Sequence, residues 1–399
     1  MRLKSSLRRS VPAFVTISLL AGGVLAGGAS AQAAGTPAIA LLAGGESAQW
    51  EAWTKDLGWR LIVPESPAGQ GIDLRVQGVA AAVQEAVKNS GVDPARVYLA
   101  GRGGASAEVF YAVSRLPDLW AAALAVGGSP QAAVDTNRIF AANFQNTPIL
   151  WVSEGPGDQA LADKLKKAGL NLEWRTGNVT MGSVFQWLAA HKREEFPLSI
   201  DCETNSPAFA RCYWIQLTKF DAAERNDVLP MTLIPGNSGA VLDLGGFGYK
   251  LDDPGPGVPV SFLPEKYNGP LKMGDRIAAL DGKPLANPRE YADIMSKATE
   301  ERTAVVMVER GKDRKRIETR IVLPRRDPVV SARVQAKYLP ADKEIQIVTR
   351  TITELRVTIP PYWVPANLYW NGLALEDIKT PGCIALKMEK ELLRAERCQ

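Results

Sequence analysis

Histidine moves protons most readily near neutral pH, and this 399-residue chain holds one, His191. A serine nucleophile needs such a base within hydrogen-bond reach. Ser106 lies in "VYLAGRGGASAEVF", residues 97–110, where an apolar run enters a glycine-rich turn and then a helical pattern. Strand, tight turn and helix in that order can expose a nucleophile beside a helix N-terminus. The apex residue is Gly103, however, which carries no nucleophilic atom. Ser106 falls three residues later, inside the helical pattern, and reads as a small packing residue. His191 sits in "WLAAHKREEFP", at the far end of a helical stretch, as a surface or capping residue. The cysteines Cys202, Cys212, Cys383 and Cys398 show no CxxC spacing and lie far from His191 in sequence, so neither a metal site nor a cofactor is expected.

The elements that must carry these residues change character along the chain. From 37 to 197, apolar runs such as "AIALLAGG", "RVYLAG" and "PILWVSEG" alternate with helical patterns such as "RVQGVAAAVQEAVKNSG" and "SAEVFYAVSRLP". That alternation predicts a doubly wound parallel sheet, with any site at the carboxyl ends of its strands. Beyond 198 the sequence is β-rich. "LSIDCETNS" and "RCYWIQLTKF" read as the two strands of a hairpin, "EIQIVTRTITELRVTI" alternates strictly, and "ANLYWNG" ends in an Asn-Gly turn signal. Between these β-rich parts lies a unit at 228–327 with its own strands and one helix, "NPREYADIMSKATEE", opened by Asn287 as cap and Pro288 at its first position. The expectation is therefore a small discontinuous β domain, 198–227 with 328–399, interrupted by an inserted unit.

The segment "GVDPARVYLAGRGGASAEVFYAVSRLPDLWAAALAVGGSP" resembles the α/β-hydrolase family, in particular its secreted esterases and depolymerases, over most of 37–197. The resemblance places Gly101, Gly103 and Ala105 of "GRGGA" on the GxSxG nucleophile elbow, with Gly103 at the serine. Asn178 in "WRTGNVTMGSVFQWL" takes the place of the catalytic histidine. Asp158 in "WVSEGPGD" matches the acid, with Glu154 as a weaker match. It implies a hydrolase fold that lacks two of its three catalytic groups; Asp158 then reads as a loop acid bonded to local amides.

The middle unit resembles a PDZ domain through four ordered features: "GFGY", "GVPVSFL", "GPLKMGDRIAALDG" and "VVMVERG". That resemblance implies an α+β partial barrel with a peptide groove. Backbone N–H groups around Phe247, Gly248 and Tyr249 would receive a terminal carboxylate, with Gly246 and Gly248 permitting the loop. A strand through Tyr249, Lys250 and Leu251 would pair with an extended peptide. Phe247, Tyr249, Ala292 and Met295 would line the pocket for an apolar last residue, and Pro288 stands where one subclass has a histidine for Ser or Thr ligands. Met273, Asp275 and Ile277 read as structural. The last β-rich part resembles the C-terminal β domain of some secreted depolymerase-like proteins and implies a small β-sandwich-like fold, with Trp214, Trp363 and Trp370 as core or a carbohydrate face.

The first 33 residues read as a signal peptide: basic residues, an apolar run, then small residues. Its four basic residues carry the whole excess of 47 basic over 43 acidic side chains. The remaining chain is about neutral, which argues against nucleic acid or anionic membranes as partners, and no membrane span is expected after cleavage. An even cysteine count in an exported, periplasmic or secreted chain fits disulfides; Cys202 with Cys212 and Cys383 with Cys398 is the expected pairing among three possible. These features imply an exported, non-catalytic protein that binds a C-terminus or extended peptide. The alternatives are a serine esterase or peptidase with Ser106 as displaced nucleophile, and a polysaccharide- or polyester-binding protein.

Overall fold

A computed structural model describes residues 35–42, 47–65, 71–155, 157–236, 239–251, 253–298, 300–323, 329–389 and 392–398; the signal-peptide reading of 1–33 lies outside them. The first region runs β1 (Thr36–Leu41), α1 (Ser47–Asp56), β2 (Arg60–Ile62), α2 (Ile72–Asn89), β3 (Val92–Arg102), α3 (Ala105–Arg115), β4 (Ala122–Val126), α4 (Gln131–Asp135), β5 (Ile149–Val152), α5 (Asp158–Lys167), β6 (Leu172–Arg175) and α6 (Met181–Ala189). The six strands form one parallel sheet in the order β2-β1-β3-β4-β5-β6.

Strand side chains alternate between faces, and each face has its own core. Ala38, Ala40, Val97, Leu99, Ala123, Ala125, Ile149 and Trp151 pack with α2, α3 and α5. Their neighbours Ile39, Leu41, Tyr98, Ala100, Ala122, Leu124 and Leu150 pack with α1 and α6. The expected parallel α/β sheet is thus present, with helices on both faces. The strand order reverses between β1 and β3, so a crevice is expected beyond their carboxyl ends, where Gly103 follows β3.

Next come β7 (Ser199–Thr204), β8 (Arg211–Cys212) and β9 (Ile215–Phe220). The middle segment holds β10 (Val241–Leu242), β11 (Val258–Pro259), β12 (Arg276–Leu280), β13 (Lys283–Pro284), α7 (Pro288–Lys297), β14 (Arg302–Arg310) and β15 (Asp313–Val322). Its sheet is antiparallel, in the order β10-β15-β14-β12-β11, and α7 covers it through Tyr291 and Met295. The last part holds β16 (Ala332–Leu339), β17 (Glu344–Arg350), β18 (Ile352–Ile359), β19 (Ala366–Trp370), β20 (Leu373–Ile378), β21 (Gly382–Glu389) and β22 (Leu392–Arg397).

Strands from both sides of the middle segment build two five-stranded sheets, β20-β19-β17-β16-β7 and β22-β21-β18-β9-β8, around one shared core. Here the expected hairpin is corrected. β7 pairs with β16 in one sheet and β9 with β18 in the other, so the two segments face each other across the core. The disulfide Cys202–Cys212 joins β7 to β8 across the two sheets, and Cys383–Cys398 ties β21 to the C-terminal end. The alternating run also divides: at Thr351, φ 65°, the chain leaves the first sheet as β17 and enters the second as β18. Trp214, Trp363 and Trp370 are at most 2% exposed, so they are core rather than a carbohydrate face. Among the described residues no helix is long and apolar enough to cross a membrane.

Candidate functional site

Gly103 occupies a tight turn between β3 and α3, with φ 56°. The flanking residues fix that turn by close approach. A Cβ at Gly101 would lie 2.6 Å from the Ala105 carbonyl oxygen, and one at Gly128 would fall 1.9 Å from the Gly103 carbonyl oxygen. A Cβ at Gly103 itself meets nothing within 4 Å. The backbone thus aims position 103 into open space, and the residue there has no side chain to display.

Ser106 does not replace it. It is fully buried, and its Oγ donates to the Val126 carbonyl at 3.0 Å. Asn178 is exposed in the turn between β6 and α6, at the carboxyl end of the sheet. His191 lies at the other end, in a cavity with Ala121, Pro148 and Asn171, which immediately precede β4, β5 and β6. Its Nδ1 donates to the Trp187 carbonyl at 2.8 Å and its ring lies 4.4 Å from that of Trp187. Asp158 is buried, and its Oδ2 accepts from the Gly155 amide at 2.9 Å. Glu154 is exposed. The turn sets position 103 at its apex, and glycine there offers no nucleophilic atom.

The middle segment holds a different kind of site. A cavity of about 360 Å³ lies between α7 and the loop 243–249. Gly246, Phe247, Tyr249 and Met295 line it, together with Tyr291 and Val241. Gly245 and Gly246 both have positive φ, 81° and 79°, and turn the loop back toward the helix. The loop is held from behind by Tyr267, whose hydroxyl donates to the Leu244 carbonyl at 2.5 Å and accepts from the Leu271 amide at 3.1 Å. Asn287 caps α7, its Oδ1 accepting from the Glu290 amide at 2.9 Å, and Pro288 occupies the first position of the helix.

Two expectations for this site change. The Gly248 amide donates to the Phe262 carbonyl at 2.8 Å, so it does not face a ligand. Gly248 lacks the positive φ of Gly245 and Gly246; its smallness serves an isolated antiparallel bridge to Phe262, since a Cβ there would lie 2.9 Å from Phe262 Cβ. Among the described residues, the amides of Gly246, Phe247 and Tyr249 donate to no protein acceptor. The second change is that the expected strand through Tyr249, Lys250 and Leu251 does not form, and Lys250, Leu251, Pro288 and Ala292 lie outside the cavity lining; Leu251 is exposed and Pro288 is buried.

Tyr291 is the residue that sequence reasoning missed. It is 3% exposed, edge-on to Tyr249 at 5.4 Å and 6.3 Å from Phe247. Burial, reinforced by Tyr249, pushes its hydroxyl well above the usual tyrosine range. Its place four residues before Met295 on one helix face was the available signal. Of the residues read as structural, Ile277 is core and Asp275 accepts two bonds from Arg310, at 2.8 and 2.7 Å, whereas Met273 is exposed.

No protein-family model matches the chain, and no curated protein matches it. Three solved structures are similar to part of it. A thermostable esterase is 14% identical over 40% of this chain, at a TM-score of 0.30, and the match spans 55% of that esterase. An Arabidopsis thaliana SOBER1 variant is 15% identical, covering 39% of this chain and 98% of its own, at 0.31. Esterase PE8 is 15% identical, covering 39% and 92%, at 0.30.

Proposed function

We propose that this protein is an exported, non-catalytic scaffold whose middle unit is a PDZ domain that captures the C-terminus or an extended segment of a partner polypeptide. Its parts would be a hydrolase-like domain at 37–197 without a nucleophile or base, a β domain from 198–227 and 328–399, and the PDZ unit at 228–327. One observation carries the reading. A cavity walled by Phe247, Tyr249, Tyr291 and Met295 adjoins a glycine loop whose Gly246, Phe247 and Tyr249 amides have no acceptor among the described residues. Unpaired amides beside an apolar pocket suit a carboxylate attached to an apolar side chain. The two disulfides suit an oxidising environment outside the cytosol.

Gly103 and the buried Ser106 support the non-catalytic part of this reading, since neither offers a reachable nucleophile. The test is a screen of random peptides with free C-termini against the full chain and against Val241→Trp. Val241 lies on the cavity rim and is about half exposed, so tryptophan there fills the mouth while sparing the core. The reading predicts binders with apolar last residues that the substitution weakens. Binders indifferent to it, or none at all, would overturn the reading.

A further inference from the structure

A second cleft, of about 680 Å³, lies where 194–196 meets the turn between β18 and β19 and the turn before β21. Glu194, Glu195, Phe196, Pro360, Pro361 and Tyr362 line it. Its aromatic wall is built on a buried anchor. Trp363 is 1% exposed, stacks on Tyr338 at 4.3 Å, and meets Trp214 edge-on at 5.1 Å. That anchor fixes the turn and holds the next ring, Tyr362, 70% exposed over the cleft. A large aromatic displayed on a fixed turn is contact surface that loses little freedom on binding.

The charged side chains lining the cleft are both carboxylates; beside them lies Thr358, and the nearby Arg397 guanidinium is committed to the Pro381 and Thr380 carbonyls, both at 2.9 Å. Among the described residues, Glu194 and Glu195 have no ion-pair or hydrogen-bond partner. The neighbouring Arg193 is committed elsewhere, its Nε donating to the Pro94 carbonyl at 3.2 Å. Partial desolvation, with the charges of Glu195 and Glu194, holds the Tyr362 hydroxyl above its ordinary range. Pro360, Pro361 and Pro381 add wall without N–H donors. The cleft therefore offers carboxylate acceptors and an aromatic face to a ligand that brings its own donors and positive charge.

We propose that this cleft binds a basic, extended segment of a partner polypeptide, with an arginine or lysine head group set against Glu194 and Glu195 and its stem lying on Tyr362. The site is separate from the groove on α7 and does not depend on what that groove binds. The probe is a synthetic hexapeptide, Gly-Arg-Arg-Pro-Arg-Gly, blocked at both ends so that it has no terminal carboxylate, titrated into the full chain by fluorescence anisotropy.

The proposal predicts saturable binding that weakens as salt rises. It also predicts a loss of at least about 10-fold in the Glu194→Gln/Glu195→Gln double variant and in Tyr362→Ala, since each removes a direct contact. The three substituted residues are exposed, so thermal midpoints matching the parent confirm folded variants. Glu195→Lys should abolish binding of the basic peptide. Unchanged affinity in these variants, or no saturable binding at millimolar peptide, overturns the proposal. A neutral tetrasaccharide that binds through Tyr362 and ignores the carboxylates would overturn it as well.

Discussion

At Gly103 the main chain keeps the conformation that displays a side chain, and only the side chain is absent. The turn has φ 56° and its Cβ position is open. Gly103→Ser should therefore fold, with a loss of about 1–2 kcal/mol for a non-glycine residue in the left-handed region. It should stay unreactive toward a fluorophosphonate probe, because Asn178 cannot take a proton and His191 sits at the amino ends of the strands, opposite the turn. Urea unfolding and mass spectrometry check both parts; stoichiometric labelling of Gly103→Ser alone would contradict the account. Asp275 gives a second test. The Arg310 guanidinium, bonded to both carboxylate oxygens, holds its carboxyl below the usual range. Stability from that pair is full above the ordinary carboxylate value, about pH 4, and is lost as pH falls through the lowered one. Unfolding between pH 5 and pH 2 should thus be less pH-dependent in Asp275→Asn. Single residues were legible where chemistry names the residue, as at Gly103 and the cysteine pairs. The Gly248 amide was misread because its acceptor, the Phe262 carbonyl, belongs to an isolated bridge that residue type does not reveal.

Among the elements, the chain at 226–236 matters most, because it leads from the β-rich sheets into the middle unit and is bound on both sides. Its Thr232 amide and hydroxyl donate to Glu203 Oε2 at 2.7 and 2.6 Å, and its Pro230 and Leu229 carbonyls accept from Arg333 and Arg350, at 2.6 and 2.7 Å. On the other side, the Ile234 amide donates to the Ile139 carbonyl at 2.8 Å. Glu203 is the hub: its side chain is fully buried, its Oε1 also meets Arg350 at 2.7 Å and the Ser331 hydroxyl, and its main chain bonds to Asn143. Glu203→Ala should cost about 3–5 kcal/mol, because it leaves the Arg350 guanidinium without its counter-ion and the Thr232 amide without its acceptor. The midpoint of chemical unfolding reads this directly, and a loss under 1 kcal/mol would show that the hub is dispensable. Sequence alternation marked the strands here but not their partners. Thr351 is a good strand former, and nothing local announces a sheet change; its left-handed conformation is set by long-range bonds, its amide to the Glu224 carbonyl and its carbonyl from the Asp221 amide.

For the molecule as a whole, alternating apolar and helical runs made the parallel sheet legible, since its central strands are buried on both faces and helices separate the strands in sequence. Two β-rich textures on either side of a third made the division of the later chain legible, whereas the pairing across sheets depends on contacts more than 100 residues apart and leaves no local trace. The proposed design joins a hydrolase-like body without a nucleophile to a groove with unpaired amides, so its function rests on capture of a chain end. The direct measurement is calorimetric titration of the full chain with one selected peptide, made once as the free acid and once as its C-terminal amide. The account predicts at least about 10-fold weaker binding of the amide, through loss of charge-assisted bonds to the Gly246, Phe247 and Tyr249 amides. Equal affinity of the two forms would contradict it.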